Sequence, residues 1–318
     1  MQRGPGGKFR YIIDRVRTGR SIMASRVLAA VFPWFERLGL HVVRNHFYSP
    51  IPDTRRLDDT VFTRKSALVG IEFDVDKQVE RLRGFRDRFA AEYESIPRMR
   101  DRHARDRFSL DNASFGSVDA EMWWCILRDA KPNRIIEVGS GNSTLLALEA
   151  LSKNATEGHT CEYIVVDPYP RQLIVDFAER NAGFRLIRSR VQDVPMDVFQ
   201  QLGNGDILFI DSSHVASIDS DVCFEILEVL PRLAPGVMIH IHDVMLPMNY
   251  PKLWMEHLYF WNEQYLLQAF LSFNDEFEIV FAGGILALDR SRELKEVFTS
   301  FEPGQTRPGS FWIRRRVT

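Results

Sequence analysis

The chain has 318 residues, enough for one large α/β domain with an appended part. Its 41 basic and 43 acidic residues nearly cancel, and a pI near 6.5 excludes a dominant basic surface of the kind that grips nucleic acid. Cys125, Cys161 and Cys223 lack Cys-x-x-Cys spacing, which excludes a disulfide framework and a cysteine zinc site and suits a reducing cytoplasm.

Residues 1–110 read as a helical extension. The apolar stretch 22–40 is broken by Arg26, Pro33, Glu36 and Arg37, too short and too interrupted to span a bilayer. No small-residue cleavage site follows it, so an amphipathic helix is expected rather than a signal peptide. Such a helix is a candidate for packing on the domain, lining its pocket, forming a homodimer or touching a membrane surface. Val75, Val79, Leu82, Phe89, Tyr93 and Ile96 form a second helical stripe with a solvated opposite face. If these helices cap the site, His46, Tyr48 and Asp53 lie near the substrate.

Residues 111–318 carry the α/β pattern. A helix with the apolar stripe Trp123, Ile126, Leu127 and Ala130 is expected to be capped by Ser117. Next comes Arg134-Ile-Ile-Glu-Val-Gly-Ser-Gly-Asn-Ser-Thr144: a buried strand, a glycine turn and a helix start. Gly139 and Gly141 permit a sharp turn and close approach of a ligand, and Ser143 or Thr144 can cap the helix. Thr144 stands where a dinucleotide fingerprint wants its third glycine, which argues against a pyrophosphate on the helix end. S-adenosylmethionine has no phosphate, and Glu137, two residues before the first glycine, suits its cationic part.

The second strand, Glu162-Tyr-Ile-Val-Val-Asp167, ends in an acid that can accept both hydroxyls of a ribose. A third strand over 185–191 ends in Gln192-Asp193. Asp206-Ile-Leu-Phe-Ile-Asp-Ser-Ser-His214 delivers Asp211 and His214 at a strand tip, and Gly236-Val-Met-Ile-His-Ile-His-Asp243 delivers His242 and Asp243 at another. Val222, Ile226, Val229 and Leu233 mark a helix between them, so the two strands run parallel, and neighbouring tips about 4.8 Å apart can share one ion or one substrate group. His214 is a candidate general base, His240 a hydrogen-bonded core residue, and His242 a group in or just behind the site. Strands are expected at 277–281 and 310–313.

The pattern Glu137-x-Gly139-x-Gly141 resembles the first motif of class I S-adenosylmethionine-dependent methyltransferases. The segments 46–53, 240–247, 250–251 and 261–270 look like a bacterial branch of that group. The resemblance implies a Rossmann-like α/β fold with a seven-stranded methyltransferase sheet, its last strand antiparallel, and a cofactor site of Glu137, Gly139, Gly141, Ser143, Thr144, Asp167, Gln192, Asp193 and Asp211. Asp193 is implied beside the adenine. Metal-dependent O-methyltransferases of the catechol and macrolide-sugar types hold Mg2+ with acids at two such strand tips. Asp211 and Asp243 match them, while Val244 stands where the catechol type has Asn. The catalytic residues implied are Asp211, His214 and His242, and the acceptor is a hydroxyl of a small molecule or glycan. The alternatives are an NAD(P)-binding oxidoreductase, or a methyltransferase fold with an oxygenase-like or binding-only role.

Overall fold

The computed structural model describes residues 27–43, 45, 48–99, 107–112 and 114–317. The start of the 22–40 stretch and His46 lie outside the described residues. The chain divides into two units, 1–60 and 61–318. Within the first, the backbone is helical over 27–37. Asp53 caps the 3-10 turn Thr54–Arg56, accepting from the Arg55 backbone N–H at 3.3 Å and from its guanidinium at 2.8 Å.

The second unit holds seven strands: β1 Arg134–Val138, β2 Glu162–Val166, β3 Phe184–Ile187, β4 Ile207–Ile210, β5 Met238–Ile241, β6 Phe277–Ala282 and β7 Phe311–Arg315. They form one sheet in the order β3-β2-β1-β4-β5-β7-β6. β1 to β5 pair parallel, and β7 enters antiparallel between β5 and β6. The expected seven-stranded Rossmann-like sheet is therefore present. The chain winds outward from β1 to β3 and returns to β4 on the other side of β1. This makes the β1–β4 junction the switch point at which open α/β sheets bind ligands.

Both faces of the sheet are covered, so its central strands are apolar on both sides. Ile135, Tyr163, Phe209 and Trp312 pack with helices Val75–Tyr93, Asp119–Ala130 and Asn142–Thr156. Ile136, Val138, Ile164, Ile210 and Ile239 pack on the other side with Val222, Ile226, Val229 and Leu267. The helix after β4 begins at Asp221, passes through a π turn at Glu225–Val229 and closes as a 3-10 turn at Leu230–Arg232. Helix Asp119–Ala130 is not capped by Ser117, whose hydroxyl is bound to that of Ser300 at 2.6 Å. Glu121 reaches back instead and accepts the Val118 N–H at 2.8 Å.

Helix Val75–Tyr93, expected in the N-terminal extension, is built into the second unit. Tyr93 is fully buried and donates to the Val297 carbonyl at 2.8 Å. Arg128, with 4% of its side chain exposed, ties three helices together: it bonds Glu92 at 2.8 Å, and also Asn154 and Glu157. Without Arg128, Lys153 still faces Glu92 at 3.2 Å and Lys131 still faces Glu157 at 2.9 Å, so what is lost is the link between the three helices and the bond to buried Asn154. Arg128→Ala should cost about 2–3 kcal/mol in urea unfolding. Trp124→Phe loses the indole bond to Glu92 (3.0 Å) and part of a buried ring, and should cost about 1–2 kcal/mol.

Candidate active site

The strand register places the site. Val138 lies level with Val166 on β2 and with Ile210 on β4, and Ile210 lies level with Ile241 on β5. The ladder runs one step further: Gly139, Asp167, Asp211 and His242 each donate a backbone N–H to a carbonyl of the neighbouring strand, at 2.9–3.1 Å. The residues that follow the strands are therefore fixed in one row.

Gly139 is required by this row. Its φ is +83°, and a Cβ there would stand 2.1 Å from the Asp211 carbonyl oxygen. Gly141, with φ 177°, is in extended backbone that any residue adopts, and its nearest neighbour is the flexible end of Arg171 at 3.1 Å. Glu137 does not face the cavity. It is 0% exposed and accepts hydroxyls from Ser143 at 2.6 Å, Thr144 at 2.7 Å and Tyr163 at 2.6 Å. Thr144 in turn accepts the Gly141 N–H at 2.9 Å. Glu137, Ser143 and Thr144 thus brace the glycine loop from behind. Sequence reasoning missed Tyr163, which lies diagonally across from Glu137 on β2.

A cavity of about 530 Å3 opens over the strand tips, lined among others by Gly139, Ser140, Asp167, Val191, Gln192 and Asp211. Asp167 accepts from the Ser140 hydroxyl and, at 2.7 Å, from the Tyr169 N–H. A carboxylate retains acceptor sites after two such bonds. Gln192 lines the cavity, its amide donating to the Asp219 carbonyl at 2.6 Å. Asp193 is not among the lining residues; it is paired with Arg190, which does line the cavity, at 2.8 and 3.0 Å.

Beyond Asp211 the polar groups converge. His214 Nε2 lies 3.4 Å from Asp211 Oδ1 and 3.7 Å from Asp243 Oδ2. His242 Nδ1 lies 3.4 and 3.6 Å from the same two oxygens. Behind His214, Nδ1 bonds Glu263 at 2.8 Å; behind His242, Nε2 faces Asp119 at 3.6 Å. Asp119 is itself held by the Gly309 and Ser310 N–H groups at 3.1 and 2.9 Å. His214 and Asp243 both adopt left-handed backbone, φ 61° and 56°, a conformation that costs energy and concentrates at functional sites. His240 lies in the core with Phe209 and Trp312 and bonds the Ser310 hydroxyl at 2.9 Å.

The charges are coupled. Burial pushes Asp211 up, but His242 and His214 outweigh it and hold the carboxyl well below its usual range. Burial pulls His214 down, yet Asp211 and Glu263 push it up to about 10. At neutral pH and without a cation, His214 is thus an imidazolium, an acid rather than the expected base. His242 is raised well above its ordinary value by Asp243 and Asp211 against its burial. Burial raises Asp243 and Glu263, with His242 and His214 respectively opposing. Asp119 and Glu263 carried no site signal in the sequence; each was an acid in the first turn of a helix.

Residues 136–244 match the family described as a methyltransferase domain. The match agrees with the sheet order and the antiparallel seventh strand. The fold is that of a class I methyltransferase. An uncharacterized protein of Archaeoglobus fulgidus is 29% identical over 169 residues, 49% of this chain and 72% of the relative. Among solved structures, CmcI-D160 with Mg and SAM is 15% identical with a TM-score of 0.36, over 71% of this chain and 84% of that one. The methyltransferase CalH with SAH is 15% identical with a TM-score of 0.37, over 62% and 55%. Values this low assign no residue a role.

Two outcomes follow for the glycine loop. Burial raises Glu137 to about 7, against the hydroxyls that lower it. A carboxyl raised on folding stabilises the fold below its unfolded value, and that contribution is lost as pH rises through about 7. The wild type should therefore lose on the order of 2–3 kcal/mol from this residue between about pH 5 and 8, and Glu137→Gln should flatten that slope in denaturant titrations. Gly139→Ala should cost more than about 2 kcal/mol by thermal unfolding, while Gly141→Ala stays within about 1 kcal/mol.

Proposed function

We propose that this protein is an S-adenosylmethionine-dependent methyltransferase acting on an oxygen of a small-molecule or glycan acceptor. The observation that supports this most is the double position of Asp211. It lines the cavity over β1, β2 and β4, and it touches both imidazoles of the cluster. A donor lying in that cavity presents its reactive end to the cluster.

The cavity fits the donor. Its volume suits one nucleoside-sized ligand. Asp167, Val191 and Gln192 line it; in this reading Asp167 accepts the two ribose hydroxyls, and Val191 and Gln192 meet the base. The close approach at Gly139 leaves backbone, not side chain, against the ligand. The donor supplies a methyl group on a sulfonium, whose departure as a neutral thioether needs no anion stabilisation. The protein's share of the work is then alignment of the acceptor oxygen and removal of its proton. Asp211 and Asp243 would hold a divalent cation, which supplies Lewis acidity to the acceptor hydroxyl. With that cation in place, His214 is not needed as the base. Trp261 lies over His214 with ring centroids 4.3 Å apart and stacks on Tyr259 at 5.3 Å, so an aromatic group borders the cluster. The unpaired thiols Cys125, Cys161 and Cys223 suit a reducing compartment such as the cytoplasm.

Calorimetry tests the reading. S-adenosylhomocysteine should bind with a micromolar Kd, about −8 kcal/mol. Asp167→Ala should weaken it by roughly 10- to 100-fold, the worth of hydrogen bonds to a charged acceptor. Tight binding of NAD with none of S-adenosylhomocysteine would move the protein to the oxidoreductases.

A further inference from the structure

We infer that the N-terminal unit is a docking surface for an anionic membrane: an apolar helix face enters the lipid interface, and the basic segment before it holds the headgroups. The inference uses none of the residues of the proposed methyl-transfer site and stands apart from it.

The helix over 27–37 carries few polar groups. From Val27 to Leu40 only Glu36 and Arg37 are charged. Val27, Val31, Trp34 and, in the turn that follows, Leu38 recur at intervals of four, three and four, so they share one face. Three of the four stand in solvent: Val27 is 57% exposed, Trp34 59% and Leu38 58%. A helix that belongs to a core turns such a stripe inward. Another part of this helix has local partners. The chain reverses at Gly39, φ 74°, and brings His41 back to stack on Phe32 at 5.3 Å and to face Glu36 at 3.5 Å. Leu40, Val42 and Val43 are exposed as well. Large apolar side chains gathered in solvent mark an interaction site, and an exposed indole among them suits the headgroup level of a bilayer.

Charge names the partner. Residues 1–26 hold seven basic side chains against one acidic, Asp14, although the whole chain carries a net −2. A basic block beside an apolar helix face is attracted to anionic lipid by the first and anchored by the second. A nucleic acid would answer the charge but leave Trp34 and Leu38 without an apolar layer. A second copy of the chain would answer the stripe but set a second block of like charge against the first. An anionic lipid surface meets both. No helix among the described residues is long and apolar enough to cross a membrane. The mode of binding inferred is attachment in the plane of the interface.

The test is flotation of the full chain with vesicles of phosphatidylcholine alone and of phosphatidylcholine with about one-third phosphatidylserine. The protein should bind the anionic vesicles at least about 100-fold more tightly than the neutral ones, and about 1 M salt should release it. The double variant Trp34→Glu with Leu38→Glu should lose at least about 30-fold in affinity for the anionic vesicles. The triple variant Arg15→Glu, Arg17→Glu and Arg20→Glu should lose at least about 100-fold, at roughly fivefold for each charge removed. Circular dichroism melts close to wild type establish that each variant is folded. No vesicle binding, equal binding to neutral and anionic vesicles, or wild-type binding by either variant would overturn the inference. Two further results would overturn it by assigning the surface elsewhere. One is a dimer in sedimentation that Trp34→Glu with Leu38→Glu dissolves, in a protein that leaves the vesicles unbound. The other is tighter binding to a duplex RNA than to the anionic vesicles, unchanged in that double variant.

Discussion

Everything at the site depends on the hydrogen-bond ladder continuing one residue past the ends of β1, β4 and β5. Gly139, Asp211 and His242 are held by backbone bonds at 2.9–3.0 Å, as the strand residues before them are. Their positions are set by the sheet rather than by a loop. The constraint has a steric consequence: the β1 tip passes so close to the Asp211 carbonyl that only glycine fits at 139. The proposed methyl transfer gains from such stiffness, because small misplacements of reacting groups cost rate steeply.

Two buried polar groups flank this row, and they differ in one respect. Around Glu137 the network is closed. Three hydroxyls donate to one carboxylate, and Thr144 accepts the loop's own N–H, so nothing remains for a ligand to satisfy. Around Asp211 and Asp243 the network is open: the groups are near one another yet not bonded, and His242 is bonded to nothing. Closed networks hold structure, while open ones at the mouth of a cavity await a partner. Sequence alone did not separate the two, because both present acids at the ends of apolar strands.

What was legible in the sequence was local or periodic. The β1 motif, the acid ending β2 and the paired tips of β4 and β5 follow from runs of apolar residues ended by polar ones, and they fixed the sheet. The parallel placement of β4 and β5 followed from one helix between them. Boundaries shifted where a polar neighbour intervened, as when β3 stopped at Ile187 and Val191–Asp193 became a 3-10 turn. Asp193 was read toward the ligand, yet Arg190, three residues earlier, claims it. Glu137 was also read toward the ligand. Strand alternation puts it with Ile135 on the face that packs helices, where Ser143 and Thr144 wait. Glu263 and Asp119 were out of reach for another reason. His214 and Glu263 are 49 residues apart and Asp119 and Gly309 are 190 apart, so no local pattern announces either pairing.

The electrostatics of the cluster carry the argument one step further. Two imidazoles stand among four carboxylates, Asp211, Asp243, Glu263 and Asp119, which favour the protonated form of both rings. In that state His214 is locked between Asp211 and Glu263 and has no capacity to take a proton from an acceptor. Glu263 holds His214 from behind at 2.8 Å, whereas Asp119 stands 3.6 Å from His242 Nε2, so the two imidazoles of the cluster differ in how firmly they are held.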